Sequence, residues 1–225
     1  MQAYYNLLLG TPLFAGVEAP DMPALLQSLG ATLRHCEKDS FLFVEGDTIN
    51  CFGVVAAGEI QILREDYLGH RSILATLAPG HLFAETFACA QLHTIPVSVL
   101  ASREAEVILL DYSLFLKAGS TQNPHHTKLI ANMLAVLAGK ALALNNTLNH
   151  LAKRTIREKL VSYLSQQAKQ AGGNSFSIPF SRQQLADYLC VDRSALSAEL
   201  GRMRREGLLN CHRSSFALLP PLTAR

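Results

Sequence analysis

A chain of 225 residues, 49% of them apolar, can bury two modest cores, and a formal net charge of +2 points to no partner. The distribution says more: residues 151–225 carry 12 Lys and Arg against five Asp and Glu, whereas residues 1–150 carry eight against thirteen. A basic C-terminal third on an acidic body fits a module that meets a polyanion, while five cysteines without C-x-x-C spacing argue against a zinc site or a disulfide framework and for a reducing cytosol.

The N-terminus, Met1 to Gly10, lacks a basic leader, so no signal peptide is expected. Short helices are expected around Pro20–Leu29. From 41 to 110, short β-rich runs alternate with turn signals. They are Phe41–Val44, Phe52–Val55, Ile60–Leu63, Ile73–Leu77, Pro96–Leu100 and Val107–Leu110, with turns at Glu45-Gly46-Asp47, Ala57-Gly58, Tyr67-Leu68-Gly69 and Pro79-Gly80. This spacing predicts an all-β barrel or roll.

At Asn123-Pro124 the pattern changes to a helix start, with an N-cap residue followed by proline at the first helical position. Ile130, Leu134, Leu137, Ala141, Leu144, Leu148 and Leu151 then recur at spacings of four and three, which is a heptad seam. The same stripe could pack a helix onto its own domain, but its regularity favours a parallel two-stranded homodimer. Asn132 and Lys140 interrupt the apolar run, and no membrane span is expected. Asn145, Asn146 and Asn149 suggest a nearby hinge, and a second helix from about Lys153 to Ala171 stops at Gly172-Gly173.

Ser181-Arg182-Gln183-Gln184 is a capping box that starts a short helix. Cys190-Val191 makes a turn, and Asp192 caps a further helix with Leu196, Leu200 and Met203 on its inner face. The outer face carries Arg193, Ser194, Ser197, Gly201, Arg202, Arg204 and Arg205. This is a helix-turn-helix whose second helix can enter a major groove, followed by a small β-wing from Ser214 to Leu219. Arg193 can donate two hydrogen bonds to a guanine edge, and Ser194 and Ser197 can reach a base or a phosphate. Arg182, Arg202 and Arg205, with Arg204, are expected to hold phosphates.

Three stretches of the roll and three of the C-terminal region together resemble the Crp/Fnr family of regulators. They are Val44-Glu45-Gly46-Asp47, Val55 to Ile60 and Leu77 to Glu85, then Ser181 to Leu189, Val191 to Ser197 and Glu206 to Leu209. The resemblance implies an α+β chain with three parts: an N-terminal double-stranded, jelly-roll-like β-roll (1–122) that senses an effector, a coiled-coil dimer helix (123–151) and a winged helix-turn-helix (152–225). It also implies that Arg193 reads DNA.

Relatives that bind a cyclic nucleotide carry a Gly-Glu pair that admits the phosphate and holds the ribose, and an arginine about ten residues later. Here the glycine position is Ala84, Glu85 is retained, and the arginine position falls near His93-Thr94-Ile95-Pro96, with no arginine between Arg71 and Arg103. A buried phosphate would lack its partner, so an effector other than cyclic AMP is expected. It would be a small organic or uncharged molecule between roll and helix, near Phe83, Ala84, Glu85, His93, Thr94, Leu144 and Asn145. The iron–sulfur branch of the family needs an N-terminal cysteine cluster, which is lacking. Ala198 replaces a second base-reading arginine of several relatives.

Two alternatives stay open. One is a haem-dependent gas or redox sensor using His81, His93, His125 or His126. The other is a cyclic-nucleotide-type module acting on a partner protein. No P-loop, G-x-S-x-G or metal-ligand spacing points to an enzyme. The expected partners are a near-palindromic double-stranded operator, a second copy of the chain, an unknown small molecule and, for an activator, RNA polymerase. The expected location is the cytoplasm.

Overall fold

Strand β3, Cys51–Ala57, is buried over its whole central run, because it is covered on both faces. Phe52, Val54 and Ala56 point into one apolar cluster and Val55 into another. That alternation sets the architecture of the first part of the chain. The computed structural model describes residues 1–65, 71–92, 94–117, 124–220 and 222. The turn expected at Tyr67-Leu68-Gly69, as well as His93 and Asn123, lie outside the described residues.

Two four-stranded antiparallel sheets face each other. One has the order β1-β8-β3-β6, with β1 Thr32–Cys36, β6 Leu82–Phe83 and β8 Ala105–Asp111. The other has the order β2-β7-β4-β5, with β2 Phe41–Phe43, β4 Ile60–Glu65, β5 Arg71–Leu77 and β7 Ser98–Ala101. Between them lies an apolar core that includes Leu42, Val55, Ile60, Phe83, Ile95, Val97, Val99 and Val107. On its outer side the first sheet packs Phe52, Val54, Ile108 and Leu110 against helical segments, among them α1 (Tyr5–Leu9), α2 (Met22–Ser28) and α4 (Tyr112–Lys117). Phe52 and Phe115 meet edge to face at 5.3 Å. Burying each such side chain contributes about 1.5–3 kcal/mol.

Helix α5, Pro124–Leu151, is continuous past the three asparagines, and the chain leaves it only at Ala152. Its first half packs by Leu129 and Met133, with Ile130 and Leu137 half-buried beside them. Asn132, the polar interruption of the apolar run, donates to the carbonyls of Leu13 and Ala15 at 2.8 and 3.0 Å. Lys128 donates to that of Gly16 at 2.7 Å. By length and composition α5 could cross a membrane; these bonds dock its first half on the N-terminal unit. The other stripe is uncovered: Leu134, Leu144 and Leu148 are 63%, 61% and 56% exposed.

The chain divides into two compact units, Met1–Gly139 and Lys140–Arg225. The second contains α6 (Ile156–Ala171), β9 (Ser175–Ser177), α7 (Arg182–Tyr188), α8 (Arg193–Arg205), β10 (Leu209–His212) and β11 (Ser215–Leu218). Thr155 and Glu158 form a capping box at the start of α6, and Gly172, at φ 68°, closes it in the left-handed conformation that glycine adopts without strain. The strands form one sheet in the order β10-β11-β9. The core gathers Leu160, Tyr163 and Leu164 of α6, Leu185 and Ala186 of α7, Leu196, Leu200 and Met203 of α8, and Leu209, Phe216 and Leu218 of the sheet.

Candidate nucleic-acid interface

Both caps read from the sequence for the helix-turn-helix are formed. The Ser181 hydroxyl accepts from the Gln184 amide while the Gln184 side chain accepts from the Ser181 amide, so α7 starts where the box places it. The Asp192 carboxylate accepts from the Ala195 amide at 2.9 Å and from the Ser194 hydroxyl. Those bonds, the hydroxyl first, hold its pKa below the ordinary value. A charged cap at the first turn of α8 also suits the helix dipole. Leu189 ends α7, and Cys190 takes φ 49° in the turn.

With Leu196, Leu200 and Met203 turned inward, Arg193, Ser194, Ser197, Arg202, Arg204 and Arg205 are exposed together on the outer face of α8. Among the described residues Arg193 and Arg205 have no ion-pair partner. Ser194 is engaged with the Asp192 cap. Arg202 is paired with Glu199 at 2.6 Å. Arg182 is half-buried: its guanidinium lies over the Phe216 ring, 4.8 Å from the centroid, and its buried Nη1 has no hydrogen-bond partner. Behind α8, Arg157 holds Glu199 and Glu206. Its hydrogen bonds to Glu206, then to Glu199, raise its pKa, and Arg157 lowers that of Glu206.

Sequence reasoning passed over Arg213. It stands exposed in the turn between β10 and β11, with φ 51°. The available signal was a cation between two strand-like runs.

In the sensor unit, Phe83 and Ala84 face the core between the sheets, and Glu85, also buried, opens α3 (Glu85–Cys89) and accepts from the Thr86 hydroxyl at 3.0 Å. Ala84 adopts φ 60°, ψ −3°, a left-handed conformation that favours glycine. Thr94 is exposed and Ile95, next to it, is buried in the core. Leu144 and Asn145 belong to the other compact unit and are exposed. A surface hollow of about 260 Å³ is lined by His35, Ala57, Glu104, Ala105 and Glu106, none of them an expected effector residue.

Of the histidines weighed as haem ligands, the three that are described are engaged locally. His81 Nδ1 lies 2.9 Å from the Ala78 carbonyl, His125 Nε2 3.1 Å from Asp21, and His126 Nε2 3.0 Å from the Ser28 hydroxyl. No described group of three His, Cys, Asp or Glu could hold a metal ion. All five cysteines are free, and burial raises the pKa of Cys36, Cys51 and Cys89, which suits inert packing groups.

Residues 33–122 match the cyclic nucleotide-binding domain family, and residues 158–219 match the Crp-like helix-turn-helix domain. The chain is 25% identical over 204 residues to the cyclic AMP receptor protein of Thermus thermophilus, covering 89% of this chain and 88% of that protein. Among solved structures it resembles the catabolite activator protein of Thermus thermophilus (TM-score 0.51, 22% identity, 93% of this chain and 94% of that one). It also resembles DNR from Pseudomonas aeruginosa (TM-score 0.53, 21% identity, 98% and 96%). The two domain matches span about two thirds of the sequence in the order roll, helix, winged helix-turn-helix. The chain is therefore a member of the Crp/Fnr family of DNA-binding transcription regulators.

Proposed function

We propose that the protein is a cytoplasmic homodimer that binds a near-palindromic operator through α8 and is controlled by a small molecule other than cyclic AMP. The observation that carries the DNA reading is the outer face of α8. There Arg193, Ser194, Ser197 and Arg205 stand exposed on a helix capped by Asp192 and anchored by a packed inner face. Arg193, in the first turn, reads a guanine; Arg182, Arg202, Arg204 and Arg205 engage phosphates. Dimerisation is supported by the uncovered Leu134, Leu144 and Leu148, which lie on the heptad seam.

The effector reading rests on the roll interior, proposed to engage its ligand near Phe83, Ala84, Glu85 and Thr94. Apart from Glu85 and Thr94 the proposed lining is apolar, and Ile95 and Val97 near it are buried in the core. The Thermus relative is named for cyclic AMP; this chain lacks the arginine to pair that charge. An uncharged organic molecule fits the lining better.

Operator selection from a random DNA library, with and without small molecules from a cell extract, tests the DNA reading. An enriched palindrome with half-sites about 34 Å apart is expected; no enrichment in either arm overturns it. Mass spectrometry of molecules retained by the native protein tests the effector reading, and a retained cyclic nucleotide would refute it.

A further inference from the structure

The recognition helix carries a buried carboxylate at its centre. Glu199, 8% exposed at its side chain, sits on the inner side of α8 with both oxygens taken. Oε1 accepts from Arg157 Nε at 2.6 Å, and Oε2 pairs with Arg202 at 2.6 Å. The remaining two arms of Arg157 close a bidentate pair on Glu206, each at 2.8 Å. One guanidinium thus grips α8 at two points two helical turns apart, in the fork geometry that lysine cannot supply.

Arg157 lies in the first turn of α6, held in place by the Thr155–Glu158 box. From the same turn Lys159 donates to the carbonyl of Leu189, where α7 ends, at 2.9 Å. The start of α6 therefore holds both helices of the helix-turn-helix: α7 by its C-terminus, α8 along its length. A negative side chain on a DNA-reading helix would repel phosphates; here it is turned inward and neutralised twice.

We infer that Arg157, acting through Glu199 and Glu206, is a positioning residue that fixes the pose of the recognition helix, so that it governs operator recognition without touching DNA. This rests on the proposed operator binding by α8, and the test separates the two. The probes are the selected operator duplex and a random-sequence duplex of equal length, titrated against the full-length protein at several salt concentrations. Failure of the wild-type protein to distinguish the probes counts against operator binding and not against Arg157.

With discrimination present, Arg157→Met should weaken operator binding by about tenfold or more. Random-duplex affinity and the salt slope should not change, because every cation that meets a phosphate is still in place. A salt slope lower by about 0.9 would make Arg157 a phosphate ligand and overturn the inference; so would unchanged operator affinity. Circular dichroism checks folding of each variant. Glu199→Gln keeps the shape of the side chain and covers the case in which Arg157→Met does not fold. Charge alone predicts that losing this carboxylate strengthens binding to both duplexes. Positioning predicts weaker operator binding, and a gain there overturns it. Arg157→Lys should rescue only in part.

Discussion

The ring of Phe83 lies against the α-carbon of Gly53, its partner in the β3–β6 pair, so closely that a Cβ at 53 would fall inside the ring's van der Waals surface. The ring is buried in the core between the sheets and fixed by its own strand. Gly53→Ala should therefore cost about 1–3 kcal/mol through overpacking. Urea unfolding measures the loss, and adding Phe83→Leu, which shrinks the intruding ring, should recover part of it. Equal stability of Gly53→Ala and wild type would contradict this packing.

Ala84 bears a left-handed backbone that costs a non-glycine residue about 1–2 kcal/mol. Ala84→Gly should raise stability by somewhat less, about 1 kcal/mol, because glycine also frees the unfolded chain. It should not create a cyclic AMP site, since the missing cation is not restored. Calorimetry at millimolar nucleotide should show no saturable heat for either protein.

Leu144→Asp tests dimerisation. In a single chain Leu144 is 61% exposed, so the substitution is benign there. Against a symmetry mate it buries an unpaired charge, costing about 3–5 kcal/mol. Sedimentation should show wild-type dimers and variant monomers with unchanged circular dichroism. Leu137 is a poorer probe, because it packs partly on its own unit.

Arg193→Ala should weaken operator binding by about 1–3 kcal/mol per half-site and relax preference at a guanine. Arg205→Ala should weaken all sequences alike and lower the salt slope by about 0.9 for each phosphate left without its cation. Selection repeated with each variant distinguishes these outcomes; an unchanged consensus for Arg193→Ala rules out base reading by that residue.

Folded-state pKa values of Glu206, Glu158 and Asp192 are depressed, by Arg157, by the Thr155 amide and by the Ser194 hydroxyl respectively. Groups shifted downward stabilise the fold above their unfolded values, near 4, and lose that contribution as pH falls through the folded ones. Thermal midpoints should hold near neutrality and decline below about pH 4. Glu206→Gln should be less stable near neutrality and flatten that decline. An unchanged midpoint and decline in the variant would show that the pair with Arg157 contributes nothing.

What the sequence made legible follows from the physics of each element. Capping boxes and apolar periodicity act locally, so α5, α7 and α8 could be read directly, down to the Ser181 and Asp192 caps. β1 escaped notice because Thr32 to His35 are exposed and only Cys36 is buried, so no alternation marks it as a strand. Helix α3 is too short to show a period. At the interface the exposed face of α8 was visible in its spacing. The capture of Arg202 by Glu199 was not, nor was the stacking of Arg182 on Phe216, because their partners are set by tertiary packing. Glu199 itself reads as one more polar residue on α8, since Arg157 lies 42 positions away.

The stacking of Arg182 on Phe216 has a thermodynamic consequence for association. A long side chain that meets a phosphate from solution gives up about 0.5–1.5 kcal/mol of rotamer freedom at that moment. Arg182 has surrendered most of its freedom during folding, against an aromatic face that leaves one nitrogen buried without an acceptor. Its proposed encounter with a phosphate therefore carries a smaller entropic penalty than that of Arg205, which stands exposed at the end of α8. Of two cations that look alike in the sequence, one arrives at the duplex already ordered and the other must be ordered there.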